Sequence, residues 1–309
     1  MRVLFITPTF LDYGLDTLYD GLVQHLGSEN VIEYPQKPVL HGDKQRRFHW
    51  YPCFFNHPIV STDALTTEKL RKNEFDSILI GCRYITDFPN NEFFDLLKVK
   101  AKVIPTFLID QGDEFEINDK LIKDFNPQLY FKREFFPDKN ANKKVVPLSF
   151  SFSLNYTPYD TSITRKNNLF WAGTSSPSRE PYLEICRDSY GYSFPNYYHD
   201  DYHQMLLSNS IGLNLMGRGN DTVRYYEVPA HGTLLFSQKP EIEIENAFVD
   251  GKTAVIFENT EEMKEKLDFC LSHQAYVDKI RKVGLNWYHT YHTSKIRASQ
   301  MMAKITSTT

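Results

Sequence analysis

The sequence predicts an α/β protein built as two successive halves, each a largely parallel sheet wrapped by helices. Three observations lead there. Short continuous apolar runs, suited to strands buried on both faces, alternate with segments of helical apolar spacing along most of the chain. That alternation lapses for about a dozen residues around "SLNYTPYDTSITRKNN" and then restarts. The length of 309 residues is ample for two ordinary cores, and a composition of 41% hydrophobic and 24% charged residues is globular. The expected division is residues 1–155, a linker at 156–166, a second domain at 167–285 and a terminal helix at 286–309.

Taken in order, "RVLFIT" is a strand ended by Pro8, and "LDTLYDGLVQHLG" is a helix with Leu15, Leu18, Leu22 and Leu26 on one face and Gly27 as its stop. "FDSILIGC" is a strand, "NEFFDLLKVK" a helix, "KVIPTFLI" a strand, and "QLYFKRE" and "VVPLSF" are further short strands. Between Pro35 and Pro58 the pattern gives way to a polar, aromatic stretch expected to be a long functional loop. In the second half "NLFWAG" is a strand, "SREPYLEICRD" and "YHQMLLSN" are helices and "SIGLNLM" is a strand. "TVRYYEVPAHG" is a short helix that Pro229 should kink or end, and "TLLFS" and "TAVIF" are strands. "TEEMKEKLDFCLSH" is a helix, and one or two terminal helices follow.

Composition narrows the function classes. A net charge of −4 leaves no global basic field, so a nucleic-acid or membrane partner would need a local patch. Cys53, Cys82, Cys186 and Cys270 form no CxxC pair and read as buried thiols in a reducing compartment. "MRVLFITPTF" is too short and too soon broken to be a signal peptide, and no apolar run is long enough to span a bilayer. The expected location is cytoplasmic.

The stretch "GRGNDTVRYYEVPAHGTLLF" concentrates the chemistry. An apolar strand feeds into Gly217, Arg218 and Gly219, with Asp221 as the expected N-cap of the next helix. Glycines let a backbone approach a bulky ligand, a helix start offers N–H groups to an anion, and Arg218 and Arg224 are guanidinium forks suited to phosphate. A GxGxxG fingerprint would need glycine where Thr222 stands, and a Walker Gly-Lys-Ser/Thr is absent, so both nucleotide motifs are disfavoured. Arg224, Glu227 and His231 share one helix face, either as a surface pair with a solvated histidine or as a site in which Glu227 accepts two sugar hydroxyls. "FWAGTSSPSRE" repeats the logic more weakly, with Gly173, a Ser178 cap and Arg179 on the first helical turn.

In the first half, Asp12 lies where the first strand hands over to its helix, and Asp110, Asp113 and Glu114 lie just beyond another strand. Strand ends are where open α/β sheets bind ligands, and these acids are either general bases or ordinary caps and solvated groups. No metal site is expected. The loop "KPVLHGDKQRRFHWYPCFFNHP", with Lys37, His41, Lys44, Arg46, Arg47, His49, Trp50 and Tyr51, suits a polyanion, a stacked sugar or base, or simply a loop with an aromatic anchor. His289 and His292, one helical turn apart, read as partly buried terminal-helix residues.

From about residue 167 to 300, the segments "SNSIGLNLMGRGNDTVRYYEVPAHGTLLF", "FVDGKTAVIFENTEEMKEKLDFCL" and "VGLNWYHTYHTSKIRA" resemble the donor-binding half of GT-B glycosyltransferases, and most nearly the CgeB-type spore-maturation group. Its Arg-x-x-Glu-x-x-Ala-x-Gly pattern is matched by Arg224, Glu227, Ala230 and Gly232, with His292 and Arg297 in the terminal helix. The resemblance implies two Rossmann-like domains facing across a cleft: an acceptor-side N-terminal one and a C-terminal one that binds the nucleotide-sugar. The terminal helix would pack back on the N-terminal domain. It implies a metal-independent transfer with no tightly bound cofactor, from a nucleotide-sugar, expected to be a UDP-sugar, to an acceptor hydroxyl on a glycan, protein or modified DNA base. Glu227 would hold the ribose, and Arg224 with Gly217–Gly219 would lie near the diphosphate. Gly173, Arg179 and Arg218 complete the expected donor set, Arg46, Arg47, His49 and Trp50 the acceptor set, and Asp12, Asp110 and Asp113 are the candidate bases. The chain departs from the Glu-x7-Glu pattern, because its first position falls on Gly219. A nucleotide-sugar epimerase and a catalytically silent binding protein are the alternatives.

Overall fold

The computed structural model describes residues 1–43, 55–83, 91–140, 144–153, 163–197 and 199–308, the side chains of residues 91, 199 and 200 excepted. The expected acceptor residues Arg46, Arg47, His49 and Trp50, together with Lys44, Tyr51 and Cys53, lie outside the described residues. The chain divides into two compact units: Met1–Asn155 with Glu243–Glu245 and Ser294–Thr309, and Tyr156–Ile242 with Asn246–Thr293.

The first unit holds β1 (Val3–Ile6), α1 (Tyr13–Leu26), β2 (Val31–Tyr34), α2 (Asp63–Arg71), β3 (Ser77–Gly81), α3 (Asn91–Lys100), β4 (Thr106–Asp110), α4 (Asp119–Phe125), β5 (Leu129–Lys132) and β6 (Val145–Pro147). Its sheet is parallel throughout, in the order β2-β1-β3-β4-β5-β6. Sequence order reverses between β1 and β3, which makes the loops after those two strands the switch point of a doubly wound sheet. The strands carry buried aliphatic and aromatic side chains, and Leu4, Ile6, Ile78, Ile80, Leu108 and Tyr130 form one core with the helices.

The second unit holds β7 (Lys166–Phe170), α5 (Glu180–Tyr190), α6 (His199–Ser208), β8 (Asn209–Asn214), α7 (Val223–Ala230), β9 (Leu234–Gln238), β10 (Val255–Phe257), α8 (Thr260–Ser272) and α9 (Gln274–Tyr291). Its four strands are parallel in the order β10-β9-β8-β7. Their core is built from Leu169, Ile211, Leu213, Leu234, Phe236 and Phe257.

Several elements differ from expectation. β2 was not anticipated, because "VIEY" places Glu33 in a buried strand; Tyr19 and His41 supply its carboxylate with partners. The short helices α2 and α4 were also missed. The stretch after Pro35 is not free basic loop where it is described: Lys37 is buried in an ion pair with Asp16 at 2.5 Å, and His41 is paired with Glu33. Strand β7 opens at Lys166, two residues before the apolar run "NLFWAG" begins. The terminal segment breaks at residues 292–293, giving α9 and then α10 (Ser294–Thr306).

Helix α10 lies against α1 within the first unit. Gly21 allows this, since a β-carbon there would collide with the Ser294 carbonyl. Beside it, Asp20 accepts hydrogen bonds from Ser294, Ser153 and Gln24 and pairs with His57 at 3.0 Å.

Candidate functional site

In the second unit, the C-terminal ends of the adjacent strands β7 and β8 each receive an arginine from the segment that follows the other strand. Arg224, on the first turn of α7, turns toward the end of β7, where its Nη2 donates to the Ala172 carbonyl. Its guanidinium fills the space beside Gly173, so a β-carbon there would lie 2.5 Å from Nη2. Arg179, at the start of α5, turns toward the end of β8 and donates to the carbonyls of Met216 at 2.9 Å, Leu215 at 3.3 Å and Thr174 at 2.8 Å. A β-carbon on Gly217 would lie 2.8 Å from its Nη2.

Both glycines are thus required by arginines, a role their spacing alone did not reveal. Among the described residues, neither guanidinium has a carboxylate ion-pair partner. Burial, followed by the charge of Arg224, lowers the pKa of Arg179 to about 10. Two nearby cations, neither in a direct ion pair with a carboxylate among the described residues, leave a place where an anion is stabilised.

The helix starts reinforce this. Asp221 was expected to cap α7 and Ser178 to cap α5. Instead Thr222 and Arg179 occupy the N-cap positions, and neither helix has a side-chain cap. The Thr222 hydroxyl donates to Asn214 at 2.6 Å. By contrast Asp12, Thr62, Asn118 and Asn259 cap α1, α2, α4 and α8. At α7, first-turn N–H groups without a side-chain acceptor are suited to an anionic ligand, whereas at α5 the Glu180 N–H donates to the Ser176 carbonyl and Pro181 has no N–H. Between β8 and α7, the Gly217 N–H donates to the Gly219 carbonyl at 3.1 Å in a tight turn that leaves Arg218 exposed and Gly219 buried.

Glu227, one turn along α7, is 3% exposed and is therefore no surface partner of Arg224. Its Oε2 accepts a hydrogen bond from the Tyr202 hydroxyl at 2.6 Å, whereas Oε1 is buried without a partner. Burial pushes its pKa up, opposed by that hydrogen bond and by the charge of Arg224. The Nε of Arg224 and the indole Nε1 of Trp171 are likewise buried without partners. His231 is not solvated: it is fully buried against His203, and burial above all lowers its pKa to about 3, so the ring is neutral. Tyr202 is the residue that sequence reasoning missed, since it lies on α6 and only folding brings it to α7.

In the first unit the three candidate acids differ sharply. Asp110, at the end of β4, accepts from Tyr130 at 2.6 Å and Lys132 at 2.7 Å through Oδ2, and from the Gly112 N–H at 2.9 Å through Oδ1. Asp113 is held by Arg133 at 2.5 Å. Asp12 caps α1 through Oδ1, which accepts from the Leu15 N–H at 3.0 Å. Its Oδ2 is buried without a hydrogen bond, 4.0 Å from Arg83, and these two residues follow β1 and β3 at the switch point. A cavity of about 400 Å³ opens at the ends of β3, β4 and β5, lined among others by Arg83, Asp110, Lys132, Glu114, Glu116 and Asp119. Among the described residues no three His, Cys, Asp or Glu side chains gather as a metal site requires, and no helix is long and apolar enough to cross a membrane.

Comparison with known proteins bears on the same region. The glycosyl transferase-like family model matches residues 186–303, the stretch that contains Tyr202, Gly217–Gly219, Arg224 and Glu227. No curated protein matches the sequence. Among solved structures, a glycosyltransferase from Rickettsia africae superposes with a TM-score of 0.67 at 10% identity, covering 99% of this chain and 98% of that one. An alpha-glucosyltransferase bound to UDP and a 13-mer DNA containing an HMU base gives 0.61 at 12% identity, with 99% of each chain covered. The Anabaena protein HepE bound to UDP and glucose gives 0.60 at 10% identity, covering 99% of this chain and 100% of that one. Two parallel-sheet α/β units and full-length superposition on these proteins give the chain the two-domain GT-B fold, with the glycosyl transferase-like pattern in its C-terminal part.

Proposed function

We propose that the protein is a glycosyltransferase that takes a sugar from a nucleoside diphosphate donor, a UDP-sugar, and moves it to an acceptor hydroxyl. One observation carries this reading: Arg179 and Arg224 converge on adjacent strand ends, each donating to backbone carbonyls and, among the described residues, without a carboxylate ion-pair partner, beside the start of α7, which has no side-chain cap. Such a site neutralises a diphosphate both in the donor and as it leaves, which is where charge builds up in the reaction. In this reading Gly173 and Gly217 admit the two arginines, Arg218 and Gly219 border the diphosphate, and Glu227 accepts from the ribose. Charge supplied by the arginines and the start of α7 supports transfer without a metal ion. The Arg224, Glu227, Ala230 and Gly232 pattern supports placement with the CgeB-type group.

The acceptor hydroxyl attacks the anomeric carbon, the bond from that carbon to the diphosphate oxygen breaks, and a base removes the hydroxyl proton. Of the three acids, Asp12 fits that role best, because it alone keeps a buried carboxylate oxygen without a hydrogen bond. Asp110 and Asp113 are committed to cations. The cavity of the first unit is the proposed acceptor site. Its lining, with Asp110, Glu114, Glu116 and Asp119 against Arg83 and Lys132, supports a neutral or cationic acceptor such as a glycan or a protein over a polyanion. The three described cysteines are buried free thiols, which supports a reducing, cytoplasmic setting.

The test is a thermal-shift series with UDP, UDP-glucose and pyrophosphate, with and without Mg²⁺, on the wild type and Arg179→Ala. Metal-independent stabilisation that is lost in the variant is expected; no shift at millimolar ligand overturns the reading. Donor turnover without any acceptor would identify an epimerase, and binding without turnover a silent protein.

A further inference from the structure

We infer that Tyr202 is a positioning residue that limits Glu227 to a single ribose hydroxyl, engaged through Oε1. The inference rests on the donor-site reading above and deepens it. A carboxylate with both oxygens open can take a vicinal diol at two points, as the spacing of Arg224 and Glu227 suggested. Here the geometry is different. The Tyr202 hydroxyl, delivered by α6, donates to Oε2 at 2.6 Å, and its proton is committed to that bond. The ring is held against Phe170 at the end of β7, with ring centroids 5.5 Å apart, and against the neighbouring His203 ring at 5.8 Å. The phenol therefore cannot swing aside without disturbing the strand end that also carries Gly173.

Glu227 is itself fixed on α7, between buried Tyr226 and Val228. Its carboxylate plane is thus set from one side, and Oε1 is the oxygen left without a partner. A buried acceptor of this kind is satisfied by one ligand hydroxyl, and a site built around one hydrogen bond discriminates against the analogue that lacks it. The site then reads the two ribose hydroxyls unequally: loss of one is penalised and loss of the other is tolerated.

The experiment is calorimetric titration of the full-length protein with UDP, 2′-deoxy-UDP, 3′-deoxy-UDP and pyrophosphate. For the wild type, one deoxy analogue is expected to bind at least about 10-fold more weakly than UDP and the other within about 3-fold. In Tyr202→Phe, Oε2 is released, and the two penalties should converge to within about 3-fold of each other while pyrophosphate affinity is unchanged. Equal penalties in the wild type, or an asymmetry that survives Tyr202→Phe, overturn the inference even where UDP binds well. Absence of both UDP and pyrophosphate binding to the wild type would instead remove the donor-site reading, and this inference with it.

Discussion

Arg224 occupies the space that a side chain on Gly173 would need, its Nη2 lying 2.5 Å from where a β-carbon would stand. Gly217 stands in the same relation to Arg179 at 2.8 Å. In each case the obstacle is the end of a flexible side chain, so the fold can tolerate a methyl group while the guanidinium cannot keep its place. Gly173→Ala and Gly217→Ala should each change unfolding stability by no more than about 1 kcal/mol. Each should weaken pyrophosphate and UDP binding by about 10-fold or more, as expected for a displaced charge-assisted contact. Urea denaturation and calorimetry on the same samples separate the two effects.

The candidate acids make opposite predictions. Asp12→Asn should leave folding nearly unchanged and lower the rate of sugar transfer by about 10²- to 10⁴-fold, the range for loss of a general base. Asp110→Asn removes the counter-charge of Lys132, which is 1% exposed by side chain, and should destabilise the first unit by about 3–5 kcal/mol. Transfer rates and melting curves for the pair decide it. A fully active Asp12→Asn enzyme would remove Asp12 from the reaction.

Glu227 has a signed pH dependence. Burial disfavours its charged form and raises its pKa above the unfolded value, opposed by the Tyr202 hydrogen bond and the charge of Arg224. Its contribution to stability is fully present below the unfolded value of about 4.3 and is lost as pH rises through the raised folded value. Glu227→Gln stays neutral throughout. Its Tm should match the wild type near pH 4 and exceed it increasingly toward neutral pH, while UDP affinity falls. Scanning calorimetry across pH 4 to 8 tests this.

The docking of α10 depends on Asp20 and Gly21. Burial raises the pKa of Asp20, but hydrogen bonds from His57, Ser294 and Ser153 outweigh it, so the net shift is downward. The stability it contributes is present above the unfolded value of about 3.9 and lost as pH falls through the lowered one. Asp20→Ala should cost about 3–5 kcal/mol at pH 7, and Gly21→Ala about 2–3 kcal/mol by forcing α10 from α1. Hydrogen exchange should show faster opening of α10 in both.

The sequence by itself determined the α/β class, the alternation of elements and the stretch where the candidate donor-site residues lie close together in the chain. These signals are local. The apolar spacing of "NEFFDLLKVK" marks α3 over the same ten residues that form it, and the run "SIGLNLM" marks β8, because neighbouring side chains report the period of the backbone they sit on. Glycines, arginines and Glu227 on one short segment could be read as a phosphate and ribose site for the same reason. What failed was whatever depends on a distant partner. Glu33 hid β2 because its acceptability in a buried strand rests on Tyr19 and His41. Asp221 and Ser178 are good caps by type, yet the helices begin at Thr222 and Arg179. The tertiary structure alone decided that Arg224 faces Gly173, that Arg179 faces Gly217, that Tyr202 takes one oxygen of Glu227, and that Asp12 keeps one open while Asp110 does not. Sheet order and helix docking set those pairings, and no periodicity along the chain encodes which side chains meet when strands far apart in sequence become neighbours.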